Sequence, residues 1–145
     1  MERILLFQPQ VGSLGILYHK TTTCDPAEVI RTLKKYNATA VTGSPAFVER
    51  LAVHALKENT TLPVRYTGVG GAPVFRSTLR TVSSATPDKK TVVIYGSTEA
   101  EPISMIFASE KMELEASKPD GLCVGHPVFK GSVKVIQIIS GTSIY

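Results

Sequence analysis

Three side chains set close together have the types that nucleotide chemistry uses: the ring of Tyr95, the hydroxyl of Thr98 and the carboxylate of Glu99. A ring can stack on a base, and a hydroxyl with neighbouring backbone N–H groups can meet a phosphate. A carboxylate supplies a hard oxygen ligand to a magnesium ion. The three end an apolar, β-branched run, Thr91-Val92-Val93-Ile94-Tyr95, which reads as a buried strand; Gly96 then allows a backbone turn that other residues resist. On open α/β sheets, sites form at such strand ends.

The pentapeptide Tyr95-Gly96-Ser97-Thr98-Glu99 resembles the Tyr-Gly-x-Thr-Glu signature of the adenylate-forming (AMP-binding) superfamily, which includes acyl-CoA synthetases and long-chain fatty acid ligases. Upstream, Gly70-Gly71-Ala72-Pro73 resembles the Gly-Gly-Ala-x segment that in those enzymes passes close to adenine and the acyl group. Gly43-Ser44-Pro45-Ala46, opening a helix, extends the likeness. So does the stretch from Gly121 to Val128, similar to the family's Gly-x-x-Val-Gly-x-Pro segment.

The resemblance implies a role for each position. Tyr95 would stack on adenine, Gly96 would let the backbone approach, Ser97 would belong to the cofactor site, Thr98 would contact the α-phosphate region, and Glu99 would bind Mg²⁺. Gly70, Gly71, Ala72 and Pro73 would line the cofactor site. Thr98 and Glu99 are then the catalytic candidates. The implied cofactors are ATP or AMP and Mg²⁺, with CoA as acyl acceptor and a fatty or related carboxylic acid as substrate. In that chemistry the carboxylate attacks the α-phosphate of Mg·ATP, giving acyl-adenylate and pyrophosphate, and a thiol then takes the acyl group. Other polar residues have plainer readings. Glu101 lies outside the signature and reads as a solvated carboxylate, Ser44 and Pro45 as helix-start residues, and His19, His54 and His126 lack the partner spacing of a catalytic or metal site.

The elements that must position these residues alternate. Leu14 to Tyr18 reads as a strand. Asp25-Pro26 caps a helix with Val29, Ile30, Leu33 and Tyr36 at helical spacing. A strand follows at Thr39 to Thr42, and Ser44 caps a helix carrying Phe47, Val48, Leu51, Ala52 and Leu56. Val64 to Val69 is the next strand, and Pro73 is expected to start a helix with Val74, Phe75, Thr78, Leu79 and Val82 as its apolar stripe. This order predicts an α/β fold with right-handed crossovers, a mainly parallel sheet and flanking helices. It is similar to part of the N-terminal domain of adenylate-forming enzymes. Glycine breaks after Thr42, Val69 and Tyr95 would then share the carboxyl edge of the sheet. Farther on, Ile103 to Ala108 suits strand or helix, the charged stretch Ser109 to Asp120 reads as an exposed excursion, and Val133 to Ile139 reads as a final, antiparallel β segment.

Composition narrows the function classes. A chain of 145 residues with 43% hydrophobic and 19% charged residues is a single globular domain's worth. The net charge of +4 has its only dense spots at Lys34-Lys35 and Lys89-Lys90, with no interleaved aromatics, so a nucleic-acid partner is not indicated. Cys24 and Cys123 lie far apart and read as buried free thiols rather than a disulfide or zinc pair. No run is long enough for a membrane span, and a cytoplasmic protein is expected.

Residues 1–145 are therefore expected to form one partial AMP-binding domain. The family's Gly/Ser/Thr-rich phosphate loop with its lysine is not found upstream. The ribose-binding aspartate and the C-terminal domain with its catalytic lysine would lie downstream. Two alternatives stand beside the ligase reading: an inactive or partner-dependent piece that needs the remaining segments of a split enzyme, and a flavodoxin-like small-ligand module.

Overall fold

The computed structural model describes residues 25–86, 88, 90–117, 120–129, 133, 134 and 136. The expected strand at Leu14 to Tyr18, together with His19 and Cys24, falls outside these residues, as does most of the expected segment from Val133 to Ile139.

Helix α1 (Pro26–Lys35) starts where its cap chemistry dictates: Asp25 Oδ1 accepts the Ala27 N–H at 3.1 Å, and proline occupies the first turn. Its buried residues are Val29, Ile30 and Leu33; Tyr36 lies past the helix end and is exposed. Strand β1 (Ala40–Gly43) leads to α2 (Pro45–Lys57), where Ser44 Oγ accepts the Phe47 N–H at 3.4 Å. The buried stripe of α2 is Pro45, Val48, Leu51, Ala52 and Ala55, whereas Leu56 is 38% exposed.

Strand β2 (Tyr66–Gly70) starts two residues later than its apolar run suggests. The next helix also starts late. Pro73, Val74 and Phe75 stay outside the helix, and α3 spans Arg76–Ala85 with Phe75 as an exposed, extended N-cap lacking a side-chain bond. Val74 is buried from this loop, so an apolar residue at helical spacing is used here for loop packing instead. Strand β3 (Thr91–Tyr95) matches expectation, and the ambiguous run beyond it is strand β4 (Ser104–Phe107). The stretch after β4 departs most from expectation. It forms helix α4 (Ala108–Ser117), in which Lys111 is 1% and Glu115 6% exposed. The last described strand is the short β5 (His126–Pro127).

The five strands lie in the order β1-β2-β3-β4-β5. β1, β2 and β3 pair in parallel, and β4 and β5 join antiparallel, which sets the α/β fold with its parallel half at the front of the chain. Register explains the core. Val69 pairs with Val93 and Val93 with Ile106, so the three share one face, and all are buried. Helices α2, α3 and α4 contact the strands there, with Leu51, Leu79 and Val82 filling the layer. The opposite face carries the pairs Val92 with Phe107 and Ile94 with Met105, which stay half-buried to exposed. No helix among the described residues is long and apolar enough to cross a membrane.

Candidate active site

Parallel pairing of β1, β2 and β3 brings their carboxyl ends to one edge. Gly43 sits opposite Val69, and Gly70 opposite Ile94. The turn after β2 needs its two glycines for different reasons. A Cβ on Gly70 would run into the Ile94 carbonyl of the neighbouring strand, and Gly71 adopts φ +78°, a left-handed conformation that side chains resist. The chain then passes through Ala72 and Pro73 beside the end of β3.

A cleft of about 330 Å³ opens at this edge, lined by the segments Gly71 to Val74, Val93 to Gly96 and Leu122 to Val124, with Lys111 from α4. Its volume lies at the small end of the range for ligand pockets. Tyr95 lines the cleft and is 47% exposed. A second hollow, of about 400 Å³, lies over α1 and α2 and is lined by residues such as Glu49, Arg50 and His54; it shares no residue with the strand ends.

Of the residues singled out from sequence, Gly71, Ala72, Pro73, Tyr95 and Gly96 meet in the cleft. Gly70 stands behind the turn, within β2. Ser97, Thr98 and Glu99 form the exposed tip between β3 and β4 and do not line the cleft. That tip is a closed turn: the Ser97 N–H donates to the Ala100 carbonyl at 2.8 Å and the Ala100 N–H to the Ser97 carbonyl at 3.2 Å, while the Ile103 N–H returns to the Tyr95 carbonyl at 2.9 Å. Among the described residues no three His, Cys, Asp or Glu side chains cluster as a metal cage. A magnesium ion needs no such cage. It keeps several waters and binds through one or two carboxylates plus substrate phosphates, so a single exposed carboxylate such as Glu99 fits an ion that arrives with a nucleotide.

Lys111, which lines the cleft, and Glu115, which bonds to the lining residue Cys123, escape sequence reasoning. Lys111 Nζ forms an ion pair with Glu115 Oε1 and donates to the Cys123 carbonyl at 2.6 Å, and Glu115 Oε1 accepts the Cys123 N–H at 2.8 Å. The available signal is spacing: Ala108, Lys111, Met112 and Glu115 recur as one helical face. Two of the four positions carry charge, so hydropathy hides that face. Cys123 is a half-buried free thiol, and His126 pairs with Glu110 at 2.8 Å on the surface.

Comparison with known proteins places the chain in a family. The family model described as "AMP-binding enzyme" matches residues 5–141. The chain is 30% identical over 140 residues to the olefin beta-lactone synthetase of Stenotrophomonas maltophilia, covering 92% of this chain and 25% of that protein. It therefore spans about a quarter of the length of the curated relatives it matches. Among solved structures, the o-succinylbenzoate CoA synthetase of Bacillus subtilis superposes with a TM-score of 0.61 at 19% identity, over 82% of this chain and 22% of that one. A variant of the amide bond synthetase McbA from Marinactinospora thermotolerans gives 0.58 at 23% identity, over 74% and 21%. These two share the fold. The match to the AMP-binding enzyme model over residues 5–141, most of the chain, identifies the chain as a member of the AMP-binding enzyme family.

Proposed function

We propose that this chain carries the adenine- and magnesium-binding middle section of an enzyme that activates a carboxylic acid with ATP. The observation that carries the reading is the meeting of the Gly71-Ala72-Pro73 turn with Tyr95-Gly96 in one cleft at the carboxyl ends of parallel strands. In this reading the adenine ring stacks on Tyr95 and lies along the backbone of the glycine turn. Thr98 and Glu99, on the tip beyond Gly96, meet the α-phosphate and its magnesium ion. The ion neutralises phosphate charge, which lets an anionic carboxylate approach. The substrate carboxylate oxygen bonds to the α-phosphorus as the bond to pyrophosphate breaks. A nucleophile then attacks the acyl carbon and AMP leaves.

The nucleophile distinguishes two forms of this proposal. A thiol such as CoA yields a thioester, and the fold neighbour named as a CoA synthetase supports it. The 30%-identical relative is named for a beta-lactone product, which favours capture by a hydroxyl within the same acid. Incubating the enzyme that contains this section with ATP and a long-chain β-hydroxy acid, with and without CoA, separates them. A lactone formed without CoA supports the second form, and a CoA thioester supports the first. The activation step has its own test. Glu99→Gln should lower carboxylate-dependent pyrophosphate exchange at least tenfold, and exchange at the wild-type rate would refute the metal role. The 145 residues alone are expected to show no exchange, because loss of one preorganised electrostatic contact already lowers rates by about 10²- to 10³-fold and positioning of both reactants needs further segments.

A further inference from the structure

The stretch from Gly121 to Gly125 runs along the cleft edge as a strap between two left-handed glycines, Gly121 at φ +88° and Gly125 at φ +93°. β-Pairing begins only at His126, which sits opposite Met105. Yet Leu122, Cys123 and Val124 form a wall of the cleft. The strap is held by side chains instead. Ser104 Oγ donates to the Val124 carbonyl at 2.6 Å, Lys111 Nζ to the Cys123 carbonyl at 2.6 Å, and Glu115 Oε1 accepts the Cys123 N–H at 2.8 Å. One residue of the strap is thus gripped at both its donor and its acceptor by a single buried ion pair.

Burial makes this pair hard to explain as surface decoration. Lys111 and Glu115 are almost wholly enclosed, and taking two charges out of water is unfavourable unless their attraction and further hydrogen bonds compensate. Here the further bonds go to one place, the Cys123 peptide groups. An apolar pair on α4 would pack at least as well, but would offer the strap neither donor nor acceptor.

We infer that Lys111 and Glu115 are positioning residues that clamp the backbone of Cys123 and so hold Leu122 to Val124 as a shaped wall of the nucleotide cleft. The ligand part of this inference rests on the function proposed above; the clamp itself does not. Hydrogen–deuterium exchange of the Cys123 amide in the complete 145-residue chain reads the clamp directly. Glu115→Ala should speed that exchange at least tenfold. Glu115→Gln, which keeps an acceptor oxygen, should restore most of the protection. Lys111→Met should give an intermediate increase, because it removes the bond to the carbonyl and leaves the bond to the N–H. Leu51→Ala, a core change on α2, controls for general destabilisation and should leave Cys123 protected when the protein is still folded. Exchange within threefold of wild type in Glu115→Ala, or equal acceleration in Leu51→Ala, would overturn the clamp.

AMP titration by equilibrium dialysis reads the consequence. Affinity should fall at least fivefold in Glu115→Ala and recover in Glu115→Gln. Unchanged affinity with a freed Cys123 amide would overturn the positioning role. If wild-type protein does not bind AMP while the exchange pattern holds, the nucleotide assignment falls and the clamp stands.

Discussion

A chain of buried threonine hydroxyls fastens β2 to β3 at the end of the sheet away from the cleft, and its protons can be traced. Thr86 Oγ1 donates to the Val82 carbonyl at 2.8 Å, which uses its one proton. The 2.6 Å contact between Thr67 Oγ1 and Thr86 Oγ1 must then be donated by Thr67. That leaves Thr91 as the outermost donor, 3.3 Å from Thr67 Oγ1 and 3.5 Å from Thr86 Oγ1. The polarity therefore runs from Thr91 to Thr67 to Thr86 to the Val82 carbonyl. Valine matches threonine in shape, so each replacement removes a hydroxyl without opening a void. Thr86→Val removes the acceptor at the core of the chain, and one of the two remaining protons must go unmet at a fully buried position. An unsatisfied buried group costs about 1–3 kcal/mol. Thr91→Val removes only a long terminal bond and should cost less than about 1 kcal/mol. Thr67→Val falls between, since Thr91 can turn to Thr86. For a domain of this size about 4 °C of Tm corresponds to 1 kcal/mol, so calorimetry should resolve the order Thr86→Val, then Thr67→Val, then Thr91→Val. A Thr91→Val protein as destabilised as Thr86→Val would refute the proton assignment.

Leu51→Ala should lower unfolding free energy in urea by about 2–5 kcal/mol, because Leu51 is 1% exposed, while Leu56→Ala on the same helix should stay within about 1 kcal/mol. Gly70→Ala should destabilise by about 1–3 kcal/mol through its collision with the Ile94 carbonyl, measured in the same titration. In equilibrium dialysis, Tyr95→Ala should weaken AMP binding by about 5- to 150-fold, the equivalent of about 1–3 kcal/mol of stacking on one base. Tyr95→Phe, which keeps the ring, should stay within threefold of wild type by the same stacking argument.

Most of the described architecture is legible because local chemistry and tertiary packing agree. Asp25-Pro26 and Ser44-Pro45 announce helix starts that the caps then occupy. The β-branched run of β3 has no competing pattern. Where two readings fit one pattern, position decided. Val74 and Phe75 lie at helical spacing with Leu79 and Val82, yet Pro73 is followed by two more non-helical residues before α3. One of the pair is buried by the loop and the other exposed as the cap. Val64 is likewise apolar for burial ahead of β2 rather than for pairing within it. The antiparallel half of the sheet was the harder part, since a run such as Ser104 to Phe107 is short enough to suit either periodicity, and only its register against β3 separates the buried Ile106 from the exposed Phe107.

The site divides the same way. Its glycine turns and Tyr95 are visible in sequence because backbone requirements select residue types locally: a left-handed turn calls for Gly71, and a strand in contact with Ile94 calls for Gly70. The clamp is invisible because its reason is not local. Lys111 and Glu115 read as solvated charges on a polar helix, and only the arrival of Cys123 from another segment gives them a buried partner. Charge at an interior helix position is usually excluded by desolvation. It is tolerated on α4 because the neighbouring strap has backbone groups in need of partners before β5 begins. The same demand that makes a buried peptide group seek a hydrogen bond thus turns an unfavourable ion pair into the fixture of a cleft wall, and its worth lies in the shape it gives the cleft rather than in the stability it adds.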